Sequence, residues 1–369
     1  MRKILADRTK VIDASGIRRV FALASQMKDP INFSIGQPDF DVPDELKSAA
    51  IRAIESGANK YTQTAGEDSL REKISSHVVN EFGWPDCRVL VTSGVSGGLL
   101  LVFMALVNPG DEVIMVDPYF VIYKHIVRML GGRCVFVESY PDFELPVTGI
   151  KTAITDRTKM IIVNSPANPT GVVYSAGELQ QLAEVAAARD IIVMSDEIYE
   201  KFCYDGPCAS ICRYYSRTIL LRGFGKAYGM TGWRMGYAAV NESLKDVLEE
   251  MTKIQQYTFV CAPSAFQHAA AAALDYDMSG FVAGYRKKRD MIYAGLKDKF
   301  EVVRPGGAFY IFVKAPGGSG TKFVEKAIAN RVLVIPGNVF SEKDTHFRVS
   351  YATSDEKIAR GIEILNSIG

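Results

Sequence analysis

Short apolar runs alternate with longer, mixed stretches between residues 88 and 240 of this chain. The runs are rich in valine, isoleucine and leucine, and they read RVLVTSG, EVIMVDP, CVFVES, KMIIVNSP, DIIVMSDE, TILLRGF and MGYAAV. Nearly continuous aliphatic residues in short runs are typical of strands that are buried on both faces. Their alternation with helical stretches predicts an α/β fold with a mostly parallel central sheet.

The residues before this region predict helices. An N-terminal arm is expected to contain a helix over residues 17–27, and further helices are expected over residues 45–56 and from about Asp68. Asp44 can cap the second of these helices, and Gly57 can end it.

The residues after the apolar runs predict a second, smaller unit. Residues 241–275 read as helical, and a longer helix is expected over residues 279–299. The strand-like runs RPGGAFYIFV, RVLVIPGNVF and HFRVSYA follow, with one helix between them. We therefore predict a large domain over residues 46–278, closely packed against a smaller α+β domain built from residues 1–45 and 279–369.

Composition and charge narrow the functional classes. The 369 residues are 48% hydrophobic and 23% charged, which suits a soluble globular protein. The 43 Lys and Arg residues against 42 Asp and Glu give a net charge of +1, so no nucleic-acid partner is expected. The N-terminus lacks the apolar core of a signal peptide, and no apolar run is long enough to span a bilayer, so we expect a cytoplasmic protein without membrane contact.

The cysteines and histidines do not predict a metal site. No C-x-x-C pair occurs, and the four histidines lack metal-ligand spacing. We expect the six cysteines to be reduced thiols in a cytosolic enzyme. They are Cys87, Cys134, Cys203, Cys208, Cys212 and Cys261.

Lys226 is the first candidate for chemistry. In α/β sheets, ligands bind beyond the carboxyl ends of the strands, so the residues that follow each apolar run are the ones to inspect. Lys226 follows the TILLRG run in a loop of small residues. A lysine placed there can act as an amine nucleophile and form a Schiff base with an aldehyde cofactor. The alternative is a solvated loop lysine.

Two glycine- and proline-rich segments are candidates for ligand binding. The segment SGVSGG, residues 93–98, ends one strand and opens a helix, so its N–H groups can hold a phosphate; a structural turn explains it equally well. It is not the G-x-G-x-x-G dinucleotide motif, and GFGKA at 223–227 is not a P-loop. In NSPANPTG, residues 164–171, Asn168 could present its amide to a ligand, or the segment could be an ordinary rigid turn.

Two charged groups lie where burial is expected. Asp196 of SDEIY follows a buried strand, where a carboxylate needs a partner such as a protonated ring nitrogen, with Tyr199 on the same side. The alternative is that Asp196 caps the next helix. Arg348 of HFRVSYA lies inside a strand and could bind a ligand carboxylate in two parallel bonds, or pair with an Asp or Glu of the chain itself.

Taken in order, the motifs resemble those of the class I/II aminotransferases, which have the aspartate-aminotransferase-like fold type I and use pyridoxal 5′-phosphate (PLP). The resemblance runs from about Ile31 to Ala352. It is carried by GQPDF, KYTQTAG, VTSG, NPTG, SDEIY, K-x-x-x-x-x-G-W-R-x-G-Y, GGAFY, PGNVF and RVSYA.

The resemblance implies a role for each candidate residue. Lys226 would form the Schiff base and shuttle the proton, Asp196 would hold the ring nitrogen protonated, and Tyr199 with Asn168 would bond the ring oxygen. The remaining cofactor contacts would come from Phe120 on the ring face, from Gly94, Val95, Ser96 and Arg234 at the phosphate, and from Tyr61 across a homodimer. The substrate α-carboxylate would be bound by Arg348, Asn168 and Gly36.

The chain departs from the family pattern at Gly223 and Gly225, where many relatives have serines. Ser96, backbone N–H groups or water would then replace the missing phosphate donor, at a loss of roughly 1.5–3 kcal/mol for one charge-assisted bond. Some aspartate-specific relatives carry a lysine in place of Ser96, so strict dicarboxylate specificity is not expected.

The resemblance implies an aminotransferase (EC 2.6.1) that moves the amino group of an L-amino acid to a 2-oxo acid, with 2-oxoglutarate as the expected acceptor. A PLP-dependent β-elimination lyase is the alternative on the same fold. A PLP-sensing regulator is disfavoured, because the motifs begin by residue 31 and leave no room for a helix-turn-helix. Aspartate, aromatic and alanine-type donors all stay open.

Overall fold

The computed structural model describes residues 4–13, 16, 20 and 27–369 of the chain. Most of the helix expected over residues 17–27 lies outside the described residues. The strands, numbered along the chain, are β1 Ile31–Asn32, β2 Arg88–Ser93, β3 Glu112–Asp117, β4 Arg133–Glu138, β5 Thr158–Asn164, β6 Ile192–Asp196, β7 Thr218–Gly223, β8 Met235–Val240, β9 Tyr310–Lys314, β10 Val332–Leu333, β11 Ile335–Pro336 and β12 His346–Ser350.

Helices alternate with these strands over most of the described chain. The α-helices are Asp44–Glu55, Asp68–Phe82, Gly94–Leu106, Ile122–Met129, Val147–Ala153, Ala176–Ala187, Phe224–Ala227, Lys245–Thr258, Ser264–Ala273, Ser279–Leu296, Gly320–Ala329 and Asp355–Ile368. Short 3₁₀ helices span Asp7–Thr9, Ile211–Arg213, Glu242–Leu244, Pro316–Gly318 and Gly337–Val339.

The seven apolar runs form one sheet with the strand order β2-β8-β7-β6-β5-β3-β4. All pairings in it are parallel except those of β8, which runs antiparallel to both β2 and β7. The predicted α/β fold with a mostly parallel sheet is therefore confirmed. Because β8 is reversed, its first residues Met235 and Gly236 lie opposite Ser93 and Gly223, at the edge where the parallel strands end.

The core lies on both faces of this sheet, as the unbroken apolar runs predict. All six residues of β3 are buried. The helix Gly94–Leu106 covers one face with Leu99 and Val102, and the helix Ala176–Ala187 covers the other with Leu179 and Leu182. Each such side chain contributes about 1.5–3 kcal/mol when it is fully removed from water.

A second sheet carries the three strands β11-β12-β9, all antiparallel, and its central strand contains Arg348. Nearby, β1 pairs in parallel with β10, so Ile31 lies beside Val332 and the N-terminal segment joins the C-terminal part of the chain. The helices Ser279–Leu296 and Asp355–Ile368 pack on the same core. The predicted strand-like runs are thus strands, and the domain bounds given above stay a prediction.

Several local predictions are wrong. Asp44 is the first residue of its helix, not the cap, because the chain enters the helix at Pro43 without a side-chain hydrogen bond. Lys226 lies in a one-turn helix, Phe224–Ala227, and not in a loop. The alternative given for Asp196, a helix cap, does not apply either, because turns and not a helix follow it at residues 198–201.

The expectation that all six cysteines are thiols is also wrong. Cys203 and Cys208 form a disulfide, because the loop between them folds back and brings their Cα atoms to 5.7 Å, within the range of a disulfide. Disulfides are uncommon in reducing compartments, so the part of the location prediction that rested on reduced thiols loses its support.

Within the described ranges, every helix is too short or too polar to cross a bilayer.

Candidate active site

A cavity of about 670 Å³ opens beyond the carboxyl ends of the parallel strands, against the three-stranded sheet. This is the position expected for the ligand of an α/β sheet, and the volume suits a small organic molecule. With the exception of Tyr61, every predicted site residue lines it. These residues are Gly36, Gly94, Val95, Ser96, Phe120, Asn168, Asp196, Tyr199, Lys226, Arg234 and Arg348.

Asp196 is the last residue of β6 and is only 2% exposed. Its Oδ2 accepts a hydrogen bond of 2.6 Å from the Tyr123 hydroxyl, and its Oδ1 accepts one of 3.2 Å from the Ile198 N–H. Burial raises the pKa of the Asp196 carboxyl to about 6, although both hydrogen bonds favour the carboxylate. The group is therefore an anion at neutral pH and would be stabilised by a cationic partner.

Lys226 lines the cavity from the one-turn helix that follows β7. Its Nζ donates a hydrogen bond to the backbone oxygen of Gly36. Burial, with the nearby Arg348 and Arg234 cations, lowers the pKa of Lys226 from 10.5 to about 8. A much larger share of the amine is then neutral at physiological pH than for a solvated lysine, so the amine can act as a nucleophile.

The residues Gly94–Ser96 form the first turn of a thirteen-residue helix, where the N–H groups have no acceptor within the helix. Arg234 completes this end of the cavity and itself has a positive φ of 57°. The approach of Arg234 depends on glycine, because a Cβ on Gly94 would lie 2.7 Å from its Nη2 atom. N–H groups at a helix start beside a guanidinium are suited to a phosphate or another anion.

Arg348 lies in the middle of β12 and is 1% exposed. Its Nη1 donates to Asn168 Oδ1 at 3.0 Å, and its Nη2 donates to the backbone oxygen of Ser34 at 2.7 Å. The guanidinium lies between the rings of Tyr310 and Phe340, at 4.5 and 4.6 Å from their centroids.

The charge of Arg348 is not neutralised by the described part of the chain. The Nε atom has no hydrogen-bond partner, and no carboxylate of those residues forms an ion pair with the guanidinium. Burial lowers the pKa of Arg348, because removing the charged guanidinium from water costs free energy. The structural alternative, an internal ion pair, is thus absent among the described residues.

Three cavity residues whose side chains hydrogen-bond predicted site residues were not predicted from the sequence. The Tyr123 hydroxyl bonds Asp196, and the Tyr310 hydroxyl lies 2.8 Å from that of Tyr199. Asn164 donates from Nδ2 to the backbone oxygen of Asp196 at 2.9 Å and accepts from the N–H of Asn168 at 2.9 Å. Asn164 and Tyr310 belong to the motifs NSPANPTG and GGAFY, so the sequence marked the segments that contain them.

Tyr61 is the one predicted site residue that lies outside the cavity. Its side chain is 83% exposed in the loop before the helix Asp68–Phe82. Nothing within the described chain brings it to the other site residues, and its expected contact across a dimer stays a prediction.

The two glycines that depart from the family pattern differ in their surroundings. A Cβ on Gly223 would lie 3.1 Å from Ile198, Val95 and the Met235 oxygen, so a side chain there would be crowded. Gly225 lines the cavity, and the nearest atom to its Cβ would be 3.6 Å away, so a serine would fit.

Comparison with known proteins assigns the class. The family model for aminotransferase class I and II matches residues 28–365. The chain therefore belongs to the class I and II aminotransferase family, and the predicted family, fold type and enzyme class are confirmed.

Individual relatives span the whole chain. It is 39% identical over 375 residues to a probable aspartate aminotransferase of Methanocaldococcus jannaschii, covering 99% of this chain and 100% of that protein. It is 33% identical to aromatic-amino-acid aminotransferase 2 of Thermococcus litoralis, covering 99% and 98%. The structure of the Thermus thermophilus aspartate aminotransferase with maleate matches with a TM-score of 0.94 at 35% identity and complete coverage of both chains.

Proposed function

We propose that this protein is a PLP-dependent aminotransferase that moves the amino group of an L-amino acid to a 2-oxo acid, with 2-oxoglutarate as the expected acceptor. The observation that carries the proposal is the charge of the cavity. Lys226, Arg234 and Arg348 face it, and Asp196 supplies the one carboxylate among the described residues that line it. Such a site favours a ligand with two anionic groups, one basic nitrogen and a group that reacts with an amine.

The cavity residues fit PLP part by part. The helix start at Gly94–Ser96 and Arg234 suit the phosphate, and Phe120 offers an aromatic face. Asp196 suits a protonated ring nitrogen, and Lys226 suits the aldehyde. When bound, PLP supplies the electron sink that allows a bond to the substrate's α-carbon to break.

The chain's own groups would direct this chemistry. With a pKa lowered to about 8, Lys226 can both accept and return a proton at Nζ near neutral pH. Arg348 would bind the substrate α-carboxylate through its planar fork, while Asn168, bonded to Arg348 Nη1, holds the guanidinium in place. Tyr199 and Asn168 would donate to the ring oxygen of the cofactor.

The substrate class is supported by the relatives. Their names include aspartate and aromatic-amino-acid aminotransferases, and one solved relative is described with maleate, a dicarboxylate. A carboxylate on the substrate is the feature these compounds share, and Arg348 is the group that would bind it. The comparisons do not favour the lyase alternative.

We also propose a homodimer in the cytoplasm, with Tyr61 reaching the phosphate of the other subunit's site. The high exposure of Tyr61 outside its own cavity supports this arrangement. The two-domain division at residues 46–278 belongs to the same proposal. Lys226 follows a strand of the seven-stranded sheet and Arg348 lies in the three-stranded sheet, so the two groups could approach when a substrate binds.

The test is the Lys226→Ala variant, with Lys201→Ala as a control on an exposed lysine. Half-transamination is followed by the absorbance of bound PLP, with each of the twenty amino acids offered in turn. We expect Lys226→Ala to lose at least a thousandfold in rate, because the covalent link and the proton carrier are both removed. Borohydride reduction and peptide mapping should find the cofactor fixed to Lys226 in the unmodified protein and in Lys201→Ala.

A Lys226→Ala protein that transaminates at the unmodified rate would refute the assignment of Lys226. Release of pyruvate and ammonia from a cysteine-type substrate, without any need for an amino acceptor, would instead establish the lyase.

A further inference from the structure

Tyr123 makes two contacts that connect predicted cofactor-binding residues. It belongs to the helix Ile122–Met129 and is 1% exposed. Its hydroxyl donates a hydrogen bond of 2.6 Å to Oδ2 of Asp196. Its ring meets that of Phe120 edge-on, with the centroids 5.7 Å apart and the planes at 86°.

The hydrogen bond has a direct electrostatic consequence. A hydroxyl that donates a hydrogen bond to a buried carboxylate stabilises the charged form of that carboxylate. Such a hydrogen bond is shorter and stronger than one between two neutral groups. Apart from Tyr123, the only donor to the Asp196 side chain among the described residues is the Ile198 N–H, and it serves the other oxygen. Without the Tyr123 hydroxyl, Oδ2 would be left in a buried site with no donor.

We infer that Tyr123 is a positioning residue, whose hydroxyl keeps Asp196 ionised and fixed and thereby sets how strongly the site holds a protonated ring nitrogen. This inference rests on the proposed function. A bound ring nitrogen keeps its proton only while the facing carboxyl gives its own up, so the two groups compete for one proton. The Tyr123 hydroxyl shifts that competition toward the ring by stabilising the carboxylate.

The alternative is that Tyr123 only fills space beside Phe120. Phenylalanine at this position retains the ring and its edge-on contact and removes only the hydroxyl. Tyr174 provides a matched control, because it is also a buried tyrosine and lines the same small cavity beside Tyr123, and it makes no side-chain hydrogen bond to Asp196.

The experiment compares the binding of PLP with that of an isostere in which the ring nitrogen is replaced by carbon. Dissociation constants are measured by spectroscopic titration of the cofactor-free protein, so no turnover is needed. We expect the unmodified protein and Tyr174→Phe to prefer PLP. In Tyr123→Phe that preference should fall about tenfold or more, as for the loss of one hydrogen bond to a charged group, while the affinity for the isostere stays unchanged.

A second variant tests the direction of the effect. 3-Fluorotyrosine at position 123 keeps the shape and makes the hydroxyl more acidic, so the preference for PLP should rise. In an Asp196→Asn background, where no carboxylate can ionise, the Tyr123→Phe change should no longer alter the preference.

The outcomes separate the two proposals. If the unmodified protein binds PLP, and Tyr123→Phe weakens PLP and the isostere equally or changes neither, Tyr123 only packs and the inference is overturned. If the unmodified protein binds neither compound, the proposed function itself fails.

Discussion

At the residue scale, Lys226 and Asp196 are both held at pKa values away from those of solvated side chains. Burial lowers the pKa of Lys226 to about 8 and raises that of Asp196 to about 6. Both shifts disfavour the charged forms, so the cofactor-free fold carries an electrostatic cost at its centre. Active sites commonly accept such a cost where function requires perturbed groups.

The free-energy cost of burying the charged Lys226 amine can be measured from the pH dependence of the protein's stability. The folded pKa of about 8 lies below the 10.5 of the free side chain, so the unfolded chain binds more protons between these values. Stability should therefore rise as the pH rises from about 8 to 10.5, and the full cost of about 3 kcal/mol is present below pH 8.

Lys226→Met should accordingly stabilise the cofactor-free protein at pH 7, by up to about 3 kcal/mol, because it removes the charge that must be desolvated. Urea unfolding at pH 7 and pH 10 measures the difference, which should shrink at the higher pH. Lys201→Met, on the surface, should change little at either pH. A Lys226→Met protein that is less stable than the unmodified chain at pH 7 would show that the lysine is not held against its charge.

Site residues that lie at or just after the carboxyl end of a strand could be predicted from the sequence. Lys226 and Asp196 each come directly after or at the end of an apolar run, and parallel strands bring such ends to one edge. Tyr123 could not be predicted in this way, because its contact with Asp196 depends on how the helix Ile122–Met129 packs. Cys203 and Cys208 pair only because of the path of a loop, which no apolar pattern records.

At the scale of elements, the segment 340–343 connects the two halves of the site. The N–H of Tyr119, next to Phe120, donates to the backbone oxygen of Phe340 at 2.7 Å. The Phe340 ring lies against the Arg348 guanidinium. Glu342 accepts from the Tyr119 hydroxyl and from Lys124 Nζ, each at 2.6 Å. The segment therefore ties the end of β3 to the strand that carries Arg348.

Glu342→Gln should loosen this tie, because the amide cannot form the ion pair with Lys124. We expect KM for the amino acid to rise severalfold, corresponding to roughly 1 kcal/mol for a half-exposed pair, with little change in PLP affinity. Steady-state kinetics and PLP titration measure the two effects. Glu301→Gln, which breaks the exposed pair with Lys314 away from this segment, is the control and should alter neither quantity. Equal losses of amino-acid and PLP binding in Glu342→Gln would contradict the role of the segment.

The apolar pattern predicts where the strands of the central sheet lie, but not the direction in which each strand runs. All seven strands of the central sheet coincide with the predicted runs, because burial on both faces leaves a continuous aliphatic signature. The reversal of β8 has no such signature, since its run MGYAAV is as apolar as the parallel strands. Its direction is decided by the short connection from β7, through Phe224–Ala227, which leaves no room for a crossover.

At the scale of the whole molecule, the proposed dimer can be tested by complementation. Tyr61 and Tyr257 are 83% and 86% exposed, and their segments are joined because Gln255 Nε2 donates to the backbone oxygen of Thr64. Large exposed aromatic groups on adjoining segments suit an interface.

In a Tyr61→Ala subunit paired with a Lys226→Ala subunit, one site would combine an intact Lys226 with an intact Tyr61. Random pairing should restore about one quarter of the unmodified sites, since half the dimers are mixed and each has one complete site. Activity of co-expressed, separately tagged subunits measures this, with each variant alone as the control. A mixture no more active than the average of its parents would place Tyr61 outside the partner's site.

The pairing of β1 with β10 has a consequence for the order in which the protein is made. Residues 88–240, which form the entire central sheet, leave the ribosome before β10 and β12 are synthesised, and β1 must wait for β10 to find its neighbour. Domains fold as they emerge, whereas contacts distant in sequence form late. The groups proposed to hold the cofactor are thus assembled first, and Arg348 joins them only when the last stretch of the chain arrives.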